Sequence, residues 1–205
     1  TISLAGEWAF ALDRENSGIK QRWFTRELAD TIALPGTTDE AKVGDFADEQ
    51  CADRLSRIWR WIGPAWYQKT VRIPRDWRGR RVVLRLERPH WETTVWVDDE
   101  RIGSQNRLST AHEYDLGTAL APGEHRLTIR VDNRMLLPHR PDSHAVSDAM
   151  GSTWNGIVAK IEIQSTPAVW LENVQAWPDV EKRSVRLVAK IGNTSGKAGT
   201  GRISC

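Results

Sequence analysis

The stretch Pro122-Gly123-Glu124-His125-Arg126-Leu127-Thr128-Ile129-Arg130-Val131 decides the fold class. Pro-Gly breaks the chain. Leu127, Ile129 and Val131 then fall on one face of an extended segment, with polar side chains between them, which is the period-two pattern of a half-buried strand. The alternation recurs upstream in Tyr67-Gln68-Lys69-Thr70-Val71-Arg72-Ile73, nearly so in Arg81-Val82-Val83-Leu84-Arg85-Leu86, and again in Thr93-Thr94-Val95-Trp96-Val97. Pro74-Arg75-Asp76-Trp77-Arg78-Gly79 and Arg88-Pro89-His90 lie between these strands and carry turn or breaker residues. Asp98-Asp99-Glu100 reads as a tight polar turn, and downstream Val158-Ala159-Lys160-Ile161-Glu162-Ile163 is a further strand. Only Ile19 to Leu28 and Leu55 to Ile62 offer short helices, neither well capped. The pattern predicts an all-β antiparallel sandwich with Greek-key or jelly-roll connectivity.

A boundary is expected near Pro167, separating residues 1–166 from 167–205. Beyond it, Val169 to Trp177 and Ser184 to Ile191 read as strands, with Gly201-Arg202-Ile203-Ser204-Cys205 as a third. An immunoglobulin-like sandwich needs about seven strands over roughly 100 residues, so the tail reads as the opening of an incomplete domain of that kind. The chain is then a fragment: one sandwich and the first strands of a second.

Composition narrows the function classes. At 205 residues the chain is too short to hold a complete α/β barrel, which takes about 250 residues by itself. The 29 basic and 27 acidic side chains are interspersed, for a net charge of +2, which argues against a nucleic-acid surface. The densest basic stretch, Arg75 to Arg85, reads as a turn feeding a strand with solvated charges in preference to a phosphate site. Cys51 and Cys205 are too few for a disulfide scaffold and read as free thiols. No apolar run approaches the roughly 18 residues that span a bilayer, so no membrane partner is expected. There are 11 Trp beside 2 Tyr and 3 Phe; flat apolar rings with one donor suit sugars, and suit sandwich cores as well.

Several short segments together carry a resemblance. They are Gly6-Glu7-Trp8, Leu34-Pro35-Gly36-Thr37, Ala65-Trp66-Tyr67-Gln68-Lys69, Trp77-Arg78-Gly79-Arg80-Arg81-Val82-Val83-Leu84, Thr94-Val95-Trp96-Val97-Asp98, Leu120-Ala121-Pro122-Gly123-Glu124-His125-Arg126-Leu127 and Trp154-Asn155-Gly156-Ile157. In this order they resemble the N-terminal sugar-binding domain of family 2 glycoside hydrolases, the β-galactosidase and β-glucuronidase family. Asp98-Asp99-Glu100 departs from the Asn-Gly turn frequent in such domains, which bears on hairpin geometry only. The resemblance implies a galactose-binding-like jelly roll over residues 1–166 and the start of an immunoglobulin-like domain over 167–205. A barrel bearing two catalytic glutamates would follow them. The acid/base glutamate of that family follows an asparagine, and no Asn-Glu pair occurs here. No catalytic residue is therefore assigned, and the isolated chain is expected not to hydrolyse glycosides.

Loops of the family's first domain reach the barrel mouth, which makes Thr37 to Gly44 and the long span from Asn133 to Asn155 the candidate substrate loops. From them Asp39, His144, Asp148, Trp154 and Asn155 are singled out as substrate-binding, because carboxylates and amides pair with hydroxyls while an indole stacks on a sugar ring. The competing account of Trp154-Asn155-Gly156 is conformational, with Gly permitting a bend where the chain re-enters the sheet. His139, Asp142 and His144 fit no established metal spacing, so no metal or other cofactor is expected. The cluster Trp59, Trp61 and Trp66, with Arg57 and Arg60 between, reads as packing in preference to an exposed sugar platform. The expected partners are the terminal sugar of an oligo- or polysaccharide and downstream domains of the same chain. The resemblance also favours a periplasmic or secreted location. A stand-alone carbohydrate-binding module and a protein-interaction sandwich are the alternatives.

Overall fold

The computed structural model describes the chain except residues 49–51, 53, 54, 56, 119, 137–139, 141–145, 152 and 203–205. Its strands are β1 (Ile2–Ser3), β2 (Gly6–Leu12), β3 (Asp30–Leu34), β4 (Gly36–Thr37), β5 (Asp45–Phe46), β6 (Trp59–Arg60), β7 (Pro64–Ile73) and β8 (Arg81–His90). They continue with β9 (Glu92–Val97), β10 (Glu100–Gln105), β11 (His112–Gly117), β12 (Gly123–Asp132), β13 (Gly156–Thr166), β14 (Val169–Asp179) and β15 (Ser184–Asn193). Every pairing is antiparallel. One sheet runs β10-β9-β12-β7-β2-β3; the other runs β1-β13-β8-β11, with β4 also paired to β13.

The two sheets close on one core. β12 contributes Leu127, Ile129 and Val131, β7 contributes Tyr67, Val71 and Ile73, and facing them are Val82, Leu84 and Leu86 of β8 with Ile157, Ile161 and Ile163 of β13. The alternation of β13 slips between Val158 and Ile161, where Ala159 takes φ 61°, so an extra residue is absorbed and the isoleucines stay inward.

The six-stranded sheet is buried on its outer face too, by the segment from Asp13 to Leu28. Phe24 stacks on Trp96 at 5.2 Å, Trp96 on Trp66 at 5.1 Å, and Trp23 tilts against Trp66 at 5.9 Å. Gln68 donates to the carbonyls of Trp23 and Arg26, and the Asp13 carboxylate accepts from Trp66 Nε1 and the amides of Ser17 and Gly18. Trp96 therefore faces away from Val95 and Val97, as its place on the strand implies.

Three local expectations are corrected. Ile19 to Leu28 is not a helix but a crossing segment with a single 3-10 turn at Trp23–Thr25, interrupted by Arg22 in the left-handed region. Gly18 lies so close to the Trp66 ring that a Cβ would sit 2.7 Å from it, so the path follows the sheet surface and not a helical axis. Leu55 to Ile62 is not a helix in its described residues; Trp59 and Arg60 pair with Phe46 and Asp45. Arg88-Pro89-His90 does not break the chain, since β8 runs through it. Beyond Leu86 the strand pairs on one side only, where a residue lacking an N–H is tolerated.

β14 and β15 form a separate two-stranded ribbon whose Leu171, Val174, Trp177, Val185 and Ile191 are exposed. It touches the sandwich through Arg81, whose guanidinium lies 4.0 Å from the Trp170 ring centroid while its Nε donates to Asp115 at 2.7 Å. Arg202 and Gly201 carry no strand, and the rest of the expected third strand lies outside the described residues. No helix among the described residues is long and apolar enough to cross a membrane.

Candidate functional site

One end of the sandwich gathers the ends of β4, β7, β8, β12 and β13. The turn after β4 carries Asp39, and its position is set by the backbone: the Thr38 amide donates to the Asn155 carbonyl at 2.9 Å, and the Val43 amide to the Thr38 carbonyl at 2.8 Å. The turn at 146–151 carries Asp148. Gly151, at φ 64°, lies against the Leu55 carbonyl where a Cβ would come within 1.9 Å, so this turn packs directly on the segment leading into β6.

That segment supplies the cations. Arg57 donates to Asp39 at 3.3 Å through Nη1 and to Asp148 through Nη2, while Arg60 donates to the other Asp148 oxygen. Two carboxylates and two guanidiniums thus form one charge-balanced cluster, mostly buried at Arg57 and Asp148. Burial pushes the Asp39 carboxyl above the usual carboxylate range, and the charge and hydrogen bond of Arg57 only partly offset it. Asp148, Arg60 and Asp45 line a pocket of about 300 Å³ with Ala47, Trp61 and Ile62. A carboxylate has about four acceptor positions, so Asp148 keeps capacity for a hydroxyl after both arginines have bound.

Trp154 stands apart from this pocket. It stacks on His90 at 4.9 Å and 25°. Burial drives His90 down to about 4, so its ring is neutral at ordinary pH, and its Nε2 has no hydrogen-bond partner among the described residues. Asn155 is fully buried: its Oδ1 accepts from Tyr67 Oη at 2.9 Å, and its Nδ2 donates to the carbonyls of Gly63 at 2.9 Å and Val131 at 3.2 Å. Its amide is spent on the protein. Asn133 complements it, accepting from the Gly63 amide and donating to the carbonyls of Trp61 and Trp154. Gly156 takes φ 144°, and a Cβ there would lie 2.3 Å from the Gly36 carbonyl, so glycine is what lets β4 close on β13.

The structure thus brings Asp39 and Asp148 together, places Trp154 on a neighbouring aromatic pair, and withdraws Asn155 into the core. His144, with His139 and Asp142, lies outside the described residues. Among the described residues no group of three or more His, Cys, Asp or Glu is placed to hold a metal. Sequence reasoning did not single out Arg57, Arg60 or His90 as site residues. The one signal was the run Arg57-Ile58-Trp59-Arg60-Trp61, where cations interrupt an otherwise apolar segment. Trp61 and Trp66 are buried and Trp59 is partly so, which accords with packing.

The family model described as "Glycosyl hydrolases family 2, sugar binding domain" matches residues 2–167. The chain belongs to glycosyl hydrolase family 2. A β-glucuronidase of Paenibacillus borealis is 26% identical over 197 residues, covering 88% of this chain and 32% of that protein. The β-glucuronidase of Sus scrofa is 23% identical over 205 residues, covering 87% of this chain and 30% of that protein. This family 2 chain therefore spans about a third of the length of the curated relatives it matches. Among solved structures, a β-glucuronidase of an uncultured Clostridium species shares the fold at a TM-score of 0.72 and 21% identity, over 95% of this chain and 34% of that one. A Faecalibacterium prausnitzii β-glucuronidase does so at 0.67 and 24% identity, over 94% and 36%.

Proposed function

We propose that this chain is the non-catalytic N-terminal part of a family 2 glycoside hydrolase acting on β-glucuronides, and that its Asp148 corner forms one wall of the sugar pocket. The observation that carries the reading is Asp148 itself. It is fixed by Arg57 and Arg60 at the lip of a pocket, with acceptor capacity left over. The names of the relatives and their threefold greater length support the sugar and the missing barrel. The exposed apolar side chains of the β14–β15 ribbon support reading residues 167–205 as the opening strands of an immunoglobulin-like domain, because an isolated hairpin is marginal in water. In this reading the chain orients the terminal sugar of an oligo- or polysaccharide. Bond cleavage belongs to two carboxyl groups of the downstream barrel.

The test uses the protein extended through its downstream reading frame. Asp148→Asn lowers kcat/KM for an aryl β-glucuronide about 10- to 100-fold, the worth of one charge-assisted hydrogen bond, while the unfolding midpoint is followed in parallel. An unchanged kcat/KM refutes the pocket-wall role. Hydrolysis of a β-galactoside in preference to the glucuronide refutes the assigned sugar.

A further inference from the structure

The opposite end of the sandwich carries a second concavity of different chemistry. β7 and β12 pair along their whole length, from Pro64 opposite Asp132 beside the Asp148 corner to Ile73 opposite Gly123. Strand rise of about 3.3 Å per residue puts these ends about 30 Å apart. At the far end the chain leaves β7 through Pro74 into the 3-10 turn Arg75–Trp77, and Pro122 leads into β12. Between them lies a pocket of about 550 Å³, whose walls include Arg72, Arg75 and Arg78 over a floor of Ile73, Pro74 and Pro122.

Three arginines line this pocket and no Asp or Glu does. Among the described residues none of the three is in an ion pair, whereas the neighbouring Arg81, Arg85 and Arg126 are paired with Asp115, Glu113 and Asp99. Glu124 lies directly across the ladder from Arg72, and Asp76 sits in the turn itself, yet neither is part of the pocket lining. The two prolines offer no backbone N–H, and the arginine side chains are the charged donors of the lining. Neighbouring like charges repel one another, and an oxyanion relieves that repulsion while accepting their forked N–H groups. The volume falls in the range of pockets that hold an organic ligand, and exceeds what a lone inorganic anion fills.

We propose that the Arg72–Arg75–Arg78 pocket is a second saccharide-binding site, taking the carboxylate or sulfate group of an acidic sugar at the end of the sandwich opposite the Asp148 corner. The choice of a saccharide rests on the sugar-binding reading above; the choice of an anionic one rests on the three unpaired cations.

The 205-residue chain is titrated calorimetrically at low salt with a heparin-derived tetrasaccharide, a neutral tetrasaccharide and inorganic sulfate. The sulfated tetrasaccharide is expected to bind at least about tenfold more tightly than inorganic sulfate, and the neutral one not to bind detectably. Arg72→Gln/Arg75→Gln/Arg78→Gln weakens that binding at least about tenfold. The same charge removed elsewhere, as Arg88→Gln/Arg183→Gln/Arg202→Gln, leaves it unchanged. All six positions are exposed, and circular dichroism checks that both variants fold. Equal losses in the two triple variants, sulfate binding as tightly as the tetrasaccharide, or no binding by any probe overturns the proposal. The readout involves no turnover, so a negative Asp148→Asn result in the extended enzyme leaves it standing, and its own failure leaves the Asp148 reading standing.

Discussion

Replacing Asn155 with alanine is expected to destabilise the sandwich by about 3–5 kcal/mol. The side chain is fully buried and makes three hydrogen bonds, to the Tyr67 hydroxyl and to the carbonyls of Gly63 and Val131. Its removal strands a buried hydroxyl, which costs about 1–3 kcal/mol of unrecovered desolvation, and weakens two buried carbonyls by somewhat less each. The void left by the amide adds to this, because packed interiors relax only partly. Against a total stability of about 5–15 kcal/mol the loss is large, and urea unfolding would show it as a lower midpoint at unchanged slope. Tyr67→Phe removes one partner of the same network, so the double variant should cost less than the sum of the singles. A loss below about 1 kcal/mol for Asn155→Ala would refute the reasoning. Such a result would mean that Tyr67 and the two carbonyls find other partners when the amide is removed.

Three further outcomes follow from other contacts. His125 donates from Nδ1 to Asp98 at 2.9 Å and from Nε2 to the Ala121 carbonyl at 2.7 Å; two acceptors require a doubly protonated ring. Burial disfavours that charge, but the bonds to Asp98 and Ala121 outweigh it and raise the His125 pKa; burial likewise opposes the Asp98 charge, and His125 and the Arg126 amide outweigh it and lower the Asp98 pKa. Stability from His125 is therefore fully present below its unfolded pKa of about 6.5 and lost as pH rises through the raised folded value. That from Asp98 is present above its unfolded pKa of about 3.9 and lost as pH falls through the lowered one. The difference in Tm between the parent and His125→Gln should peak between these limits, and a flat difference across pH would contradict it. Gly156→Ala forces a Cβ against the Gly36 carbonyl at positive φ and should cost more than about 1–3 kcal/mol of backbone strain alone. Gly79→Ala, also at positive φ but with nothing within 4 Å, should cost less; chemical denaturation of the two compares them. Arg81→Ala removes the cation stacked on Trp170, worth about 0.5–2 kcal/mol, and should speed hydrogen exchange across residues 169–193 while leaving the β12 amides protected.

The strand pattern was legible wherever the two faces of a strand differ in polarity. β12 reads correctly because Leu127, Ile129 and Val131 point into the core while the equally buried Thr128, Arg130 and Asp132 between them are polar, and the register of its pairing with β7 then places Tyr67, Val71 and Ile73 beside the apolar set. The alternation is lost at Ala65-Trp66-Tyr67, because the segment from Asp13 to Leu28 covers the Trp66 face as well and apolar side chains then fill both sides of the strand, whereas Trp96 lies opposite Val95 and Val97 as its place on the strand implies. Within that covering segment, Ile19 to Leu28 offered a short helix that the structure replaces with a single 3-10 turn. Its aromatic spacing answers to the rings of β7 and β9, and the close approach of Gly18 to Trp66 is a tertiary constraint that local propensity does not encode.

The site shows the same limit more sharply. Asp39 and Asp148 were visible as acidic residues in long loops, but the bond that unites them passes through Arg57, which is 91 residues before Asp148 in the chain. Asn155 was equally conspicuous, and for a sugar contact its amide has the right chemistry. An amide that can pair with hydroxyls can equally pair with Tyr67 and two carbonyls, so residue type leaves the two roles degenerate. Burial separates them: Asn155 faces β7 and β12 from within the core, while Asp148 reaches the pocket with acceptor capacity to spare. The loop's conformation therefore depends on how Gly151 and Gly156 let it approach the Leu55 and Gly36 carbonyls, contacts set by backbone distance and not by the polar residues that first drew attention to it.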